Sequence, residues 1–185
     1  MIKDFLFEDI LNKVLILTKN KQMAEEEYRY IASFLGDKKF LVFGTGFDTE
    51  LWRYSNKNGI TIFLENNIKW IENNDDTLLI KYTSKIADAD YILNQYRSNN
   101  LDLLYIDLPN IVINTKWDCI FVDSPEGWSN KCPGRMQSIY AASKLAGNDT
   151  DIFIHDCDRY VEDLFSREFF KFEIKHLKKL KHFRI

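Results

Sequence analysis

The feature that most constrains this chain is a repeated change of hydrophobic period: long helical windows give way to short, continuous apolar runs rich in Val, Ile and Phe. A run that is apolar at every position suits a strand covered on both faces, and helices between such strands supply the crossovers of a parallel sheet. The runs are Phe40 to Phe43, Ile60 to Leu64, Leu78 to Thr83, Trp117 to Val122 and Asp151 to Ile154, and the tail from Phe170 to Ile185 reads as two further strands. The expected fold is therefore α/β and Rossmann-like, a mostly parallel sheet with helices on both faces and an antiparallel C-terminal strand pair.

Between these runs lie the helical windows. Ala24, Tyr28, Ile31 and Leu35 recur at helical spacing, and Gly36 stands where a C-cap glycine would end that helix. Asp48 and Thr49 are placed to cap a helix carrying Leu51 and Trp52. Ile86, Ala89, Leu93 and Tyr96 mark a third helix, and Met136, Ile139, Tyr140 and Ser143 a fourth that ends near Gly147. A last helix covers Tyr160 to Phe169, and Leu101 to Leu108 fits either pattern.

A length of 185 residues with 45% hydrophobic content suits one domain over 1–185, its first 36 residues forming a helical segment that leads into the sheet. There is no internal repeat or low-complexity linker. The net charge of -3 singles out no polyanionic partner, so nucleic acid is not expected. The Lys-rich tail from Lys171 to Arg184 is expected on a solvated strand face. Cys119, Cys132 and Cys157 are odd in number and wrongly spaced for disulfides or zinc. Acidic residues interrupt the N-terminal apolar run, and no stretch approaches the ~18 to 20 apolar residues of a membrane span. A soluble, cytoplasmic protein without a membrane partner is the expectation; the oligomeric state stays open.

In an open α/β sheet a ligand lies beyond the carboxyl ends of the strands. After the first strand comes Phe43-Gly44-Thr45-Gly46-Phe47-Asp48, whose glycines let the backbone approach a ligand. Position 49 is Thr, so the third glycine of the dinucleotide fingerprint is missing. That weighs against a pyrophosphate and a nicotinamide-dependent oxidoreductase, and leaves room for an adenosyl group carrying an amino acid. Glu65, followed by Asn66, stands near the offset at which an acid accepts hydrogen bonds from ribose hydroxyls.

Asp123 and Asp156 each follow a buried run and should project from neighbouring places on the same edge. They read as a general base and its neighbour, as ligands of a divalent metal, or as plain caps of the following turns. His155 reads as a packed residue or as a partner in catalysis. Arg135, at a helix start where a cation gains nothing from the dipole, can hold an anionic or polyhydroxyl ligand or a surface carboxylate. Trp52, Trp70 and Trp117 read as packing residues, whereas Trp128 sits in a loop where it can stack on a sugar face.

The runs FLVFGTGFDTELW, TIFLENNIKWI, YTSKIADAD, WDCIFVDSPEGW, PGRMQSIYAAS and DIFIHDCDR, in this order and at these intervals, resemble the plant glucuronoxylan 4-O-methyltransferase family and its relatives in xylan biosynthesis. The resemblance spans residues 22 to 185 and rests most on PGRM and HDCDR. It implies S-adenosylmethionine-dependent methyl transfer to a sugar hydroxyl, with a saccharide, nucleotide-sugar or glycan as acceptor. By matching position, Phe43, Gly44, Thr45, Gly46, Asp48, Glu65, Asn66 and Asp123 would line the cofactor. Asp123, Asp156 and His155 would serve catalysis, and Trp128, Arg135, Asp158 and Arg159 the acceptor. Plant members carry an N-terminal membrane anchor that this chain is not seen to carry. Glu126, where a basic residue is expected, would repel a uronate, so another sugar hydroxyl is as open as the 4-hydroxyl of glucuronate. The alternative from another class is a catalytically silent carbohydrate-binding or scaffold protein of the same fold.

Overall fold

The computed structural model describes residues 4–19, 22–71 and 75–185. Positions 1–3, on which the reading of the N-terminus partly rests, lie outside these. Two helices precede the sheet, α1 (Phe5–Thr18) and α2 (Glu25–Ala32). Asp4 caps α1 by accepting the Phe7 amide, and Glu27 closes the start of α2 by accepting the Ala24 amide at 2.6 Å. α2 ends four residues before the expected Gly36. The Phe34 and Leu35 amides bond three residues back, to Ile31 and Ala32, so helical spacing persists to Leu35 in a tightened backbone. Gly36, at φ +134°, then turns the chain into the sheet.

The strands are β1 (Lys39–Phe43), β2 (Ile60–Glu65), β3 (Thr77–Leu79), β4 (Trp117–Val122), β5 (Ala146–Ile154), β6 (Glu173–Leu177) and β7 (Leu180–Arg184). The helices that connect them are α3 (Thr49–Ser55), α4 (Ala89–Arg97), α5 (Asn110–Ile113), α6 (Met136–Leu145) and α7 (Tyr160–Phe169). Their order across the sheet is β3-β2-β1-β4-β5-β7-β6. The first five pair in parallel, and β7 runs antiparallel to both β5 and β6. This is the expected Rossmann-like arrangement, a mostly parallel sheet with an antiparallel C-terminal strand pair.

Strand alternation divides the core in two. Leu41 and Phe43 face a cluster with Ile92 and Leu93 of α4, Ile139 of α6 and Phe165 of α7. Phe40 and Val42 face the other cluster, with Leu11 of α1, Tyr28 of α2 and Trp52 of α3. Helices therefore cover both faces, and the carboxyl ends of the parallel strands stay uncovered.

Three elements differ from expectation. β3 stops at Leu79, because Glu65, its last partner, ends β2 there; beyond it the Thr83 and Ser84 amides donate instead to Gln137 Oε1 of α6. α6 stops at Leu145 and β5 starts at once, Gly147 lying within the strand. A left-handed Asp149 (φ +70°) kinks that strand, and the buried Thr150 hydroxyl then donates to Trp117 O. Leu101 to Leu108 is a short 3₁₀ turn, Asp102–Leu104, with irregular backbone after it. In the tail Lys181 is buried rather than solvated, since its ammonium meets Asp163 of α7 at 2.7 Å and Glu173 of β6 at 3.2 Å. Among the described residues no helix is long and apolar enough to cross a membrane.

Candidate functional site

Backbone hydrogen bonds that continue past the strand ends align the candidate residues on one rim. Gly44 N donates to Leu64 O at 2.8 Å, Asp123 N to Phe43 O at 3.0 Å and His155 N to Val122 O at 3.1 Å. β2, β1, β4 and β5 thus deliver Glu65, Gly44, Asp123 and His155 in spatial sequence around a cavity of about 350 Å³. Gly44 is a glycine of necessity: its φ is +117°, and a Cβ there would lie 2.8 Å from Ser124 Cβ.

On the β2 side the cavity wall is held by neutral donors. Glu65 Oε2 accepts the Thr45 amide and hydroxyl at 2.9 and 3.0 Å, while Oε1 accepts the Asn66 and Asn67 amides at 2.8 and 2.7 Å. The Thr45 hydroxyl also lies 3.1 Å from Trp70 O, and Phe47 meets the Trp70 ring edge-on at 5.4 Å. The 65–71 segment is thereby latched to the glycine loop. Trp70, expected in packing, is 43% exposed and lines the cavity. Asp48 stands at the N-cap position of α3 without making a cap bond. Its carboxylate accepts Trp52 Nε1–H at 3.0 Å, while the Thr49 hydroxyl, expected to share the capping, accepts the Gly46 amide. Burial, and then the negative charge of Asp123, push the Asp48 carboxyl up to about 6.

On the β5 side the wall is ionic. Arg135 is buried at the start of α6, and its Nη2 reaches Asp123 Oδ1 at 2.9 Å and Asp156 Oδ2 at 2.7 Å. Its Nη1 donates to His155 O and its Nε to Pro125 O, so most of its donors are spent within the protein. His155 Nδ1 donates to Asp123 Oδ1 at 3.0 Å, and Nε2 lies 3.8 Å from Glu27 Oε2 of α2. Burial alone would lower the His155 pKa; the charges of Asp123, Glu27 and Asp156 overcome this and hold it at about 9. Asp123 is pulled the other way: burial favours its neutral form, but Arg135 and His155 keep its pKa below the usual carboxylate range. Among the described residues the hydrogen bond to Asp123 falls on Oδ1, and none falls on Oδ2. Asp156 is held at φ +60°, and its Oδ2 also meets Arg159 Nη1 at 3.0 Å.

Of the residues singled out in the sequence, Gly44, Thr45, Gly46, Asp48, Glu65, Asn66, Asp123, Trp128, Arg135, His155, Asp156 and Arg159 all line this one cavity. Two do not. Phe43 is wholly buried in the core, because the pleat that points Val42 toward the cavity sends its neighbour to the opposite face. Asp158 is exposed outside the lining, with Lys179 Nζ at 3.7 Å, and it is Lys179 that lines the cavity instead. Sequence reasoning also missed Glu27, whose only local signal is an acid in a helix's first turn.

Asp123, His155 and Asp156 offer ligand atoms within 4.8 Å of one another, as a metal site would. The Arg135 guanidinium occupies the gap between the two carboxylates, and the imidazole already carries a proton on the nitrogen facing Asp123. A divalent ion would have to expel both positive charges, so these residues do not fit a metal.

A family model described as IRX15/IRX15L/GXM matches residues 29–183. Among curated proteins, Glucuronoxylan 4-O-methyltransferase 3 of Arabidopsis thaliana is 38% identical over 72% of this chain and 53% of its own length. Arabinogalactan O-methyltransferase 1 of the same plant is 32% identical over 82% of this chain and 62% of its own. Protein IRREGULAR XYLEM 15, also from Arabidopsis thaliana, is 36% identical over 70% of this chain and 48% of its own. The chain thus spans about half to three-fifths of the length of these relatives.

Proposed function

The chain belongs to the IRX15/IRX15L/GXM family, and from that premise we propose that its cavity binds S-adenosylmethionine and methylates a hydroxyl group of a saccharide or glycan. The carrying observation is the pair Asp48 and Asp123, which face one cavity from two different loops; burial, and after it the charge of Asp123, raises the Asp48 pKa to about 6. Such a site wants a cation. The ammonium and sulfonium of S-adenosylmethionine meet that demand, whereas the pyrophosphate of a dinucleotide would add a third anion. The relatives named as glucuronoxylan and arabinogalactan methyltransferases support a glycan as the acceptor class.

Bound S-adenosylmethionine supplies an electrophilic methyl group, which is lost from sulfur as the acceptor oxygen bonds to it. The chain's own part is mostly positional. Arg135 and His155 both fasten Asp123 through Oδ1, which leaves Oδ2 to accept a hydrogen bond from the acceptor hydroxyl. Alignment of the reacting groups supplies about 7–11 kcal/mol, against about 3–5 kcal/mol for a well-placed base. A carboxylate kept below its ordinary pKa is a weak base, so Asp123 orients the hydroxyl and takes its proton only as the carbon–oxygen bond forms. His155, positively charged at neutral pH, is a holder of Asp123 rather than a base.

Calorimetry with S-adenosylhomocysteine, and release of that product in the presence of glucuronoxylan or arabinogalactan, test this reading. Asp123→Ala is expected to cripple turnover more than cofactor binding, and Glu65→Ala chiefly to weaken binding by loosening the 65–71 segment. The reverse ordering would overturn the roles. Full activity in a chelator is the expected result for the metal-free site; loss restored by a divalent ion would overturn it.

A further inference from the structure

Beside the cavity runs a second groove of about 470 Å³, between the 126–130 loop and the start of α7, and the two share Gly127, Trp128 and Arg159 as a common ridge. We propose that this groove is a second saccharide subsite, which holds the pyranose unit next to the one that is methylated. The proposal rests on the acceptor being a glycan and adds where its chain lies.

Two aromatic side chains on the groove are 74% and 64% exposed, Trp128 and Tyr160. Each has its polar atom satisfied by a nearby carboxylate: Trp128 Nε1 donates to Glu126 Oε2 at 3.2 Å and the Tyr160 hydroxyl to Asp90 Oδ1 at 3.0 Å. These bonds fix the rings and leave their faces to solvent, the arrangement that suits the C–H face of a sugar. Glu126, which looked in the sequence like a group that repels a uronate, here orients the indole.

The wall between them holds an unexplained group. Glu162 is fully buried and lines the groove, yet among the described residues neither carboxyl oxygen has a side-chain or main-chain hydrogen-bond partner of the kind its neighbours have. A buried polar group without a partner is a standing cost that a bound hydroxyl would relieve. Burial favours its neutral form, against which Arg135, its own backbone amide and Arg159 act. Gly127, which also lines the groove, leaves room at this carboxyl that no other residue would: a Cβ there would lie 2.7 Å from Glu162 Oε1 and 3.2 Å from Arg159 Nη1.

The same groups select the occupant. The Arg159 guanidinium is engaged with Asp156, and Glu126, which holds the Trp128 indole, disfavours an anion. With Ile86 and Val161 as its apolar contribution, the groove fits a neutral, hydroxylated ring.

The test is titration of protein loaded with S-adenosylhomocysteine by xylohexaose and by galactohexaose, against xylose and galactose, for the native chain and for Trp128→Ala, Tyr160→Ala and Glu162→Gln. One hexasaccharide is expected to bind at least about tenfold more tightly than its monosaccharide, and each substitution to remove about threefold or more of that gain. Tyr160→Ala alters a surface residue and Glu162→Gln keeps the buried shape, so their S-adenosylhomocysteine affinity should stay within about twofold, which separates a lost subsite from a lost fold. Affinity independent of chain length, variants that bind hexasaccharide like the native chain, or no binding of either hexasaccharide overturns the subsite. Methyl transfer to polysaccharide that is indifferent to Tyr160→Ala would overturn it while leaving the proposed reaction intact; absence of S-adenosylhomocysteine binding would remove the reaction itself.

Discussion

Glu65 and Asp123 leave the same sheet rim on either side of β1, and the protein satisfies them in opposite ways. Glu65 takes two hydrogen bonds on each oxygen, all from the amides and hydroxyl of the loops beside it, and among the described residues meets no cation. Asp123 is held by two cations through one oxygen, from Arg135 twelve residues on and His155 thirty-two residues on. The β2 half of the cavity is therefore shaped by local backbone, and the β5 half by a charge network assembled across the fold. Local backbone gives a fixed shape, suited to an invariant coenzyme. A charge network gives an oriented carboxylate with one oxygen free, suited to a reacting hydroxyl.

The comparison makes removal of Arg135 the most damaging single change. Arg135→Met keeps the volume but leaves Asp123 and Asp156 without their shared cation, and breaking such a buried ion group should cost about 3–5 kcal/mol in denaturant unfolding. Glu65→Gln should cost less, about 1–3 kcal/mol, because an amide NH₂ then replaces one oxygen, and with it the acceptor for two of the four donors, without stranding a charge. If the two substitutions proved equal, the ionic half would be no more dependent on charge than the other, and the contrast would fail.

His155 sharpens the point through pH. Its pKa is raised from 6.5 to about 9, so the folded state holds this proton more firmly than the unfolded chain. The resulting stabilisation is complete below about 6.5 and is lost as pH rises through about 9. Between pH 7.5 and 9.5 unfolding experiments should record a loss of about 2 kcal/mol. In Asp123→Asn, which removes the main charge supporting the imidazolium, that loss should move to lower pH. An unchanged midpoint in the variant would show that Asp123 is not what holds the proton.

The two halves also differ in how much of them the sequence discloses. Gly44, Gly46 and Glu65 are legible because a strand, a glycine turn and an acid at a fixed offset are local signals, and the backbone that satisfies Glu65 is its own neighbourhood. Phe43 shows the limit: only the strand's pleat decides which of two adjacent residues faces the ligand, and a run apolar at every position carries no mark of that choice. Asp123, His155 and Asp156 were legible as strand-end residues but not as an ion network. Arg135 read equally well as a ligand binder or a surface partner, because nothing in its own segment says that two carboxylates converge on it. Glu27 and Glu162 were invisible for the same reason, each being an ordinary acid in the first turn of a helix. The boundary of β3 was misjudged because a strand's length is set by its neighbour, here by where β2 ends at Glu65.

The smallest expected effect tests whether the two halves communicate through the cavity. Asp48 belongs to the glycine loop, but its pKa of about 6 is set, after burial, by Asp123 on the other side. A cationic ligand between them should prefer ionised Asp48, so affinity is full well above pH 6 and falls as the pH drops through that value. Comparing pH 7.5 with pH 5.5, the dissociation constant for S-adenosylmethionine should rise about fourfold, with proton release on binding at the lower pH. Asp123→Asn removes the repulsion, returns Asp48 toward its ordinary carboxylate range, and should flatten the dependence. A dependence that survives that substitution would mean that burial alone sets Asp48, and that the two halves share a cavity without sharing its electrostatics.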